Sequence, residues 1–284
     1  MTGFFILAGG FGRRAVPLSN CLPKPVFPLS GKPLILRIIS QLNNFGVSEG
    51  FVNLHYLGDK IKNVVSKNNI SFIQESKLSG SSVLKRISDI SSDIIFVVNG
   101  DIFLDIPFDK MIGKLESSCA DGILLVRNKD PNYSSLYCDG EKFKGVSASG
   151  SDGDYMFSGV SLFRRSLLKE FRDINFFDTF KRVNPDIRIV EYKNIWLDIG
   201  TPELYFNSDR KLREYLRVDS SNSVSSNVYI SGSAEVKNSI LWSGCKIEGY
   251  SVLKSCIVCE NVKINKGNYF KKIITKEGVY DLKV

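Results

Sequence analysis

The chain has little of several features that would narrow its class. Six cysteines among 284 residues are too few for a disulfide scaffold. No apolar run approaches the roughly 20 residues that span a bilayer. Residues 1–8 lack the basic leader of a signal peptide. These absences predict a cytoplasmic globular protein with no membrane partner.

Zinc and redox chemistry also find little support. Cys256 and Cys259 have CxxC spacing, but a second CxxC is missing. The surrounding sequence predicts a strand, and residues three apart on a strand point to opposite faces. His55 is the only histidine, and we expect a strand-end residue there rather than a catalytic base.

The formal net charge of +8 raises the question of nucleic-acid binding. Residues 222–284 hold nine lysines against five acidic residues, but these lysines are dispersed and no arginine accompanies them. We therefore expect a solvated basic surface and no nucleic-acid partner.

Residues 1–100 alternate between apolar runs and amphipathic segments. Strands are predicted at 4–7, 50–54, 70–73 and 93–98, and helices after Pro33 and at 60–67. This alternation predicts an α/β fold with a mostly parallel mixed sheet flanked by helices. Ligands bind at the carboxyl ends of such strands, where Gly9-Gly10 and Gly100-Asp101 fall.

The pattern changes after about residue 219. Residues 220–226 are rich in serine, and residues 240–247 match 257–264 at an offset of 17. Short strands between Gly, Ser and Asn predict stacked coils of a parallel β-helix. We therefore divide the chain into an α/β domain, 1–218, and a β-helix domain, 219–284. Only about two coils fit, so the tail is expected to pack on the main domain or on another subunit, which predicts a homo-oligomer.

The strongest motif spans residues 7–18 and 22–25. Three glycines and Arg14 follow the first strand, and Lys24 stands between two prolines. Glycine lets backbone amides approach a polyphosphate, and both cations suit phosphate oxygens. The P-loop pattern is missing from the sequence. The dinucleotide fingerprint GxGxxA fits residues 10–15, but Pro17 interrupts its helix and no acid ends the second strand.

These segments resemble the LAGGxGTRLxPLT…PKP signature of the nucleotide-sugar pyrophosphorylases, which are sugar-1-phosphate nucleotidyltransferases. Arg13 replaces the usual threonine and Ala15 the usual leucine, whereas nine positions coincide: Gly9, Gly10, Gly12, Arg14, Pro17, Leu18, Pro23, Lys24 and Pro25. The resemblance implies a Rossmann-like catalytic domain with a left-handed β-helix. It also implies that Arg14, Lys24 and Asp101 are catalytic, and that the nucleotide site comprises Leu7, Ala8, Gly9, Gly10, Gly12, Arg14, Lys24, Glu75, Gly80 and Gly100.

Two further segments resemble the family's metal-binding motifs. Asp101 follows an apolar strand and Gly100, and Asp198 lies in the sequence WLDIGTPELY at 196–205. A carboxylate at a strand end is a hard-oxygen ligand suited to Mg²⁺. The resemblance makes Asp101 and Asp198 the ligands of one Mg²⁺ ion, with Asp198 meeting the sugar phosphate through the metal.

Other correspondences are weaker. Residues 78–84 resemble the segment that meets the base and the sugar, with Glu75 just before it. Gly159 lies in a strand that resembles the wall of the sugar pocket. The family's EKP segment is missing, residues 145–150 occupy its region, and Lys142 and Lys144 are candidates for its cation.

The resemblance favours transfer from GTP to mannose 1-phosphate or a related heptose or hexose 1-phosphate, for cell-surface polysaccharide synthesis. Alternatives are a uridylyl- or thymidylyltransferase acting on another sugar 1-phosphate, and a catalytically silent regulatory subunit. Choline-phosphate cytidylyl transfer shares the motif, but an appended β-helix favours sugar nucleotides. A hexapeptide acyltransferase needs a histidine base within its coils, and His55 lies far outside the repeat.

Overall fold

The computed structural model describes residues 1–47, 49–66, 70–87, 91–149, 153–172, 175–218 and 221–284. The strands of its α/β part are β1 (Thr2–Leu7), β2 (Pro28–Leu29), β3 (Lys32–Pro33), β4 (Glu49–Leu54), β5 (Ile70–Gln74), β6 (Ile94–Asn99), β7 (Ile102–Leu104), β8 (Gly122–Asn128), β9 (Ser134–Asp139), β10 (Lys142–Ser149), β11 (Tyr155–Arg164), β12 (Ile187–Glu191) and β13 (Trp196–Asp198). The helices are α1 (Leu18–Cys21), α2 (Leu34–Asn44), α3 (Gly58–Val65), α4 (Phe108–Ser118), α5 (Arg165–Leu168), α6 (Phe176–Val183) and α7 (Pro202–Tyr215), with 3₁₀ turns at Arg13–Ala15, Lys24–Val26 and Gly80–Ile87.

Nine strands form the central sheet, in the order β5-β4-β1-β6-β11-β8-β12-β10-β9. The first four strands of that order are parallel. Strand β1 is buried on both faces, as expected for a parallel strand covered by helices. Because their carboxyl ends meet at one edge, the loops after β1 and β6 are neighbours. The Gly100 N–H donates to the Leu7 carbonyl at 2.9 Å.

The predicted α/β class is confirmed, and each predicted element lies within a residue or two of an observed one. The predicted helix at 60–67 runs over Gly58–Val65, and Lys67 lies outside the described residues. Beyond β6 the sheet becomes mixed. Strand β11 is antiparallel to both β6 and β8, whereas β8 and β12 are parallel.

A short antiparallel ribbon of β7 and β13 places the second aspartate. Asp198 pairs with Ile102, and the Ile199 N–H donates to the Asp101 carbonyl at 3.3 Å. The backbones of Asp101 and Asp198 are therefore diagonal neighbours although 97 positions separate them.

The C-terminal region is a parallel β-helix with three sheets, as the sequence repeat predicts. Paired residues such as Ile240 and Ile257 lie 17 apart, so the repeat length is the length of one coil. The strands are β14 (Ser223–Val224), β15 (Tyr229–Ile230), β16 (Glu235–Lys237), β17 (Ile240–Leu241), β18 (Lys246–Ile247), β19 (Ser251–Lys254), β20 (Ile257–Val258), β21 (Lys263–Ile264), β22 (Gly267–Phe270), β23 (Lys272–Ile274) and β24 (Val279–Asp281).

The described residues form three coils rather than the expected two. The sequence repeat does not reveal the first coil, because Ser223 and Val224 occupy the positions at which the next coil has Ile240 and Leu241. A serine at the inward position hides the apolar repeat, yet Ser223 is buried and its hydroxyl accepts the Gly31 N–H at 3.1 Å.

The β-helix packs on the α/β part, and both share one continuous apolar core. Trp242 is fully buried at this junction, and its Nε1–H donates to the Tyr205 hydroxyl of α7 at 2.9 Å. The predicted boundary at 218/219 falls between α7 and β14 and stays a prediction. Asp219 and Ser220 lie outside the described residues. Within the described residues, no helix has the length and apolarity to cross a membrane.

Candidate active site

Two neighbouring cavities open at the carboxyl edge of the parallel strands. The larger, about 470 Å³, is lined by eight of the predicted residues: Leu7, Ala8, Gly9, Gly10, Gly12, Lys24, Gly80 and Asp101. The smaller, about 250 Å³, is lined by Arg14, Asp101 and Asp198 among others. Asp101 lines both, so the structure brings the glycine loop, both cations and both aspartates together.

Gly12 of the glycine loop lies against the Lys24 side chain. Gly12 has a φ of 65°, a left-handed conformation that favours glycine. A Cβ at Gly12 would also lie 3.4 Å from the Lys24 side chain. Lys24 is only 9% exposed, and its Nζ donates to Asp101 Oδ2 at 3.2 Å. The lysine is thus fixed between its flanking prolines with its charge directed at the carboxylate.

Arg14 and Asp198 both lie close to Gly200. A Cβ at Gly200 would lie 3.1 and 3.2 Å from the two Asp198 carboxylate oxygens and 3.3 Å from an Arg14 guanidinium nitrogen. The Gly200 N–H donates to Asp198 Oδ1 at 2.8 Å. The glycine after the strand therefore leaves room for a buried carboxylate beside an arginine.

The donor set suits a hard divalent cation. Mg²⁺ in proteins is held by one or two carboxylates together with substrate phosphates and water. Asp101 and Asp198 supply two carboxylates at one cavity, and the adjacent glycine loop is open to phosphates. Among the described residues, no cluster of three or more potential metal ligands occurs.

Glu75 lies beneath the nucleotide cavity rather than in its wall. Its carboxylate is 4% exposed and accepts from Asn53 Nδ2 at 2.6 Å and from the Ser79 N–H at 3.0 Å. Asn53 in turn accepts the Ala8 N–H at 2.6 Å. This buried chain joins the glycine loop to the 78–80 segment, so Glu75 fixes the loops around the predicted base site.

Two predicted glycines support the site from outside the cavity walls. A Cβ at Gly100 would lie 2.8 Å from the Leu7 carbonyl oxygen, and one at Gly159 would lie 2.5 Å from the Ile102 side chain. Both positions permit close packing of the strands that flank Asp101.

Lys142 and Lys144 form ion pairs with Asp186 and Asp139, and neither lines either cavity. Gly150, in the segment that replaces EKP, lies outside the described residues.

Sequence reasoning missed Tyr133. Its hydroxyl donates to Asp198 Oδ2 at 2.5 Å. Burial and this hydrogen bond raise the pKa of the Tyr133 phenol, so it remains a proton donor. The only local signal was the turn at 130–132, which predicts a loop but not its destination.

The contribution of α6 was also missed, although Phe157 lies in the strand that resembles the wall of the sugar pocket. Phe157 and Phe177 line both cavities, and the start of α6 contributes Asn175 and Phe176 to the larger one. The sequence contains no motif that marks this helix as part of the site. A cleft of about 1060 Å³ lies elsewhere, between α4 and β12, and holds none of the predicted residues.

A glycine loop beside two cations and two carboxylates, at the edge of an α/β sheet, is an arrangement that suits nucleotidyl transfer. Residues 4–137 match the family model of nucleotidyl transferases, and residues 204–280 match the model of the GlmU-like C-terminal hexapeptide region. The N-terminal part of the chain is thus similar to nucleotidyl transferases. The resemblance drawn from the sequence motifs is thereby confirmed, as is the class of enzyme.

Similar proteins come from several kingdoms. A Sulfolobus acidocaldarius protein provisionally assigned as a mannose-1-phosphate guanyltransferase is 29% identical over 75% of this chain, which spans 63% of that protein. Mannose-1-phosphate guanylyltransferase 1 of Arabidopsis thaliana is 24% identical over 96% of this chain and 82% of its own length.

Among solved structures, HddC from Yersinia pseudotuberculosis complexed with GMP-PN is 25% identical, with a TM-score of 0.65. That match covers 75% of this chain and all of HddC. A Bacillus anthracis protein provisionally named glucose-1-phosphate thymidylyltransferase shares the fold at 16% identity, covering 75% of this chain and 96% of its own, with a TM-score of 0.66.

Proposed function

We propose that this chain transfers a nucleotidyl group from a nucleoside triphosphate to a sugar 1-phosphate, releasing pyrophosphate and a nucleotide-sugar. The observation that carries the proposal is the convergence of the glycine loop, Arg14, Lys24, Asp101 and Asp198 on two adjoining cavities. The larger cavity has the size of a nucleotide site, and the smaller one adjoins it at Asp101.

GTP and mannose 1-phosphate are the favoured substrates. Relatives from Sulfolobus and Arabidopsis bear names for that activity, and the similar HddC structure contains GMP-PN. All three proteins support a guanine nucleotide, whereas only two of them bear names that include mannose 1-phosphate. A related hexose or heptose 1-phosphate remains within the proposal.

The chemistry needs no general base from the protein. The nucleophile is a phosphate oxygen that is already ionised at neutral pH. It forms a new bond to the α-phosphorus, while the bond to the bridging oxygen of pyrophosphate breaks and that group leaves as an anion. His55 fits this scheme, because its Nδ1 lies 3.0 Å from the Glu75 carbonyl and the ring lines neither cavity.

The protein therefore contributes orientation and charge. Backbone amides of the glycine loop receive the triphosphate, and Lys24 and Arg14 face it from the two cavities. Asp101 and Asp198 would hold Mg²⁺, whose positive charge would offset the negative charge of the substrate phosphates. Aromatic side chains such as Phe157 and Phe177 line both cavities and would help to exclude water from the reacting phosphates.

The decisive experiment is a matrix of nucleoside triphosphates and sugar 1-phosphates, assayed by pyrophosphate release with Mg²⁺. Release with GTP and mannose 1-phosphate, at least tenfold faster than with UTP or dTTP, is expected. A different best pair would correct the substrates and keep the reaction. No release with any pair would refute the enzyme and favour a regulatory subunit.

Asp101→Asn tests whether the Asp101 carboxylate takes part in the reaction. Removing one charged group that acts on the reacting phosphates is expected to lower the rate by about 10²–10³-fold in saturating Mg²⁺. Asp109→Asn, at the exposed start of α4, is the matched control and should retain full activity. Near-normal activity of the Asp101 variant would contradict the proposed site.

The assembly and the location are further parts of the proposal. Tyr229, Tyr250 and Phe270 are more than half exposed on the β-helix, which is consistent with a homo-oligomer formed through the tail. Light scattering that gives a monomer mass would refute this. A cytoplasmic location agrees with a reaction that consumes nucleoside triphosphates, and cell fractionation would test it.

A further inference from the structure

The hydrogen bonds of Asp198 point to a positioning residue. Its two carboxylate oxygens are both engaged before any substrate is present: Oδ1 accepts the Gly200 N–H at 2.8 Å, and Oδ2 accepts the Tyr133 hydroxyl at 2.5 Å. The Asp198 residue is only 7% exposed. A buried carboxylate held at both oxygens has one orientation, and its remaining lone pairs are directed by those two partners.

Tyr133 is itself fixed by its surroundings. Its ring meets the Trp196 ring edge-on, with centroids 5.5 Å apart and planes at 85°. Trp196 and Asp198 are two residues apart on β13, so both side chains lie on the same face and Tyr133 contacts both. The Trp196 Nε1–H donates to the Ser158 carbonyl at 2.8 Å, which anchors the indole to β11.

The loop that delivers Tyr133 is locally closed. Asp130 Oδ1 accepts both the backbone N–H and the side-chain amide of Asn132 at 2.9 Å, and the Tyr133 N–H donates to the Asp130 carbonyl at 3.1 Å. The Arg127 guanidinium lies 5.1 Å from the centroid of the Trp196 ring. Tyr133 is thus supported by its own turn and by a clamped tryptophan.

We propose that Tyr133 is a positioning residue that holds the Asp198 carboxylate in the orientation required for binding the divalent cation, so that the carboxylate pair is ready before the substrates arrive. This deepens the proposed function and rests on its assignment of Asp198 as a metal ligand. Hydrogen-bond partners of metal ligands typically contribute about 10–100-fold to metal affinity, because they fix the ligand and tune its basicity.

Mn²⁺ binding tests the inference without turnover. The full-length protein is titrated with Mn²⁺ alone, and the free ion is measured by electron paramagnetic resonance. Tyr133→Phe is expected to raise the Kd by about tenfold and to keep the melting temperature within a few degrees of the wild type. In the assay, its Mg²⁺ requirement should rise by a similar factor, with kcat largely recovered in saturating Mg²⁺.

Tyr155→Phe is the matched control, because the Tyr155 hydroxyl also donates to a carboxylate, that of Glu191, and neither residue lines either cavity. Its Kd for Mn²⁺ should equal that of the wild type. A Tyr133→Phe Kd within twofold of the wild type would overturn the inference. Absence of Mn²⁺ binding by the wild-type protein would also overturn it, because the carboxylate pair would then not be ready without substrates.

Asp198→Asn separates this inference from the proposed function. Loss of Mn²⁺ binding in that variant, with a normal Tyr133→Phe, would refute only the role of Tyr133. Full Mn²⁺ affinity in Asp198→Asn would refute the metal assignment itself and, with it, the role of Tyr133. Weakened binding in Tyr133→Phe, in a protein inactive with every substrate pair, would uphold the positioning role and reject the reaction.

Discussion

Trp242 should decide how firmly the β-helix is attached to the catalytic part. The side chain is fully buried, its ring centroid lies 5.1 Å from that of Phe27 and 6.2 Å from that of Tyr205, and its Nε1–H donates to the Tyr205 hydroxyl. Trp242→Ala removes the whole indole from this junction. Because Tyr205 belongs to α7, which begins four residues after Asp198, the junction also supports the segment that carries this proposed metal ligand.

The magnitude follows from the buried area. An aromatic side chain of this kind buries about 150–250 Å². At about 25 cal/mol per Å² this corresponds to about 4–6 kcal/mol, an upper bound because the unfolded chain already covers part of that surface. Loss of the hydrogen bond adds about 1 kcal/mol. We expect a loss of about 4 kcal/mol in the free energy of unfolding, within the range found for Trp→Ala changes in cores.

Urea unfolding followed by circular dichroism measures this loss. Trp196 is the only other tryptophan, so its fluorescence in the variant reports on the active-site region alone. Tyr250→Ala is the matched control, since Tyr250 is a large aromatic residue of the same β-helix but is 76% exposed, and its removal should change stability by less than about 0.5 kcal/mol. A loss below about 1.5 kcal/mol for Trp242→Ala, or one equal to the control, would refute the reasoning.

Two further predictions concern buried polar groups. Asp209→Ala should lower the free energy of unfolding by about 3–5 kcal/mol, because it removes the fully buried carboxylate to which Arg213 Nε donates at 2.9 Å. Arg210→Ala, which breaks the exposed pair with Glu214 on the same helix, should cost less than about 1 kcal/mol, and thermal melts that show equal losses would contradict this. Burial raises the pKa of the Cys245 thiol to about 12, so at pH 8 its thiolate fraction is about 10³-fold smaller than that of an ordinary cysteine. A thiol reagent such as DTNB should therefore modify the exposed Cys119 quickly and Cys245 only after unfolding, and rapid modification of Cys245 in the native protein would refute the expected burial effect.

Local patterns were sufficient wherever the physics is local. The apolar run of β1 predicts a strand that is buried on both faces, and the helical spacing of α2 predicts a helix that buries one stripe. The 17-residue offset predicts the register between the earlier coils, since identical positions stack when coils have the same length. It does not predict the later shift to 16 residues, seen where Ile257 pairs with Ile273. It could not predict the first coil, where buried Ser223 replaces an apolar residue and accepts a hydrogen bond from the Gly31 N–H of the α/β part.

Motif recognition identified most of the candidate site, but not its geometry. Gly12, Arg14 and Lys24 are close in sequence, so one glycine loop and one turn bring them together. Asp198 lies beside Asp101 only because β13 pairs with β7. That pairing depends on the fold of the whole segment between the two strands. Without the family resemblance, nothing in the residues around Asp198 indicates that partner.

The sequence by itself determined the order of strands and helices in the first hundred residues, the repeat of the tail and the charged groups of the site. Only the tertiary structure decided which distant side chains support those groups: Asn53 beneath Glu75, Tyr133 against Asp198 and Trp242 against Tyr205. The physical reason is that each of these contacts joins separate segments of the chain, and a side chain's identity records its chemistry but not the partner that the folded backbone brings within hydrogen-bonding distance.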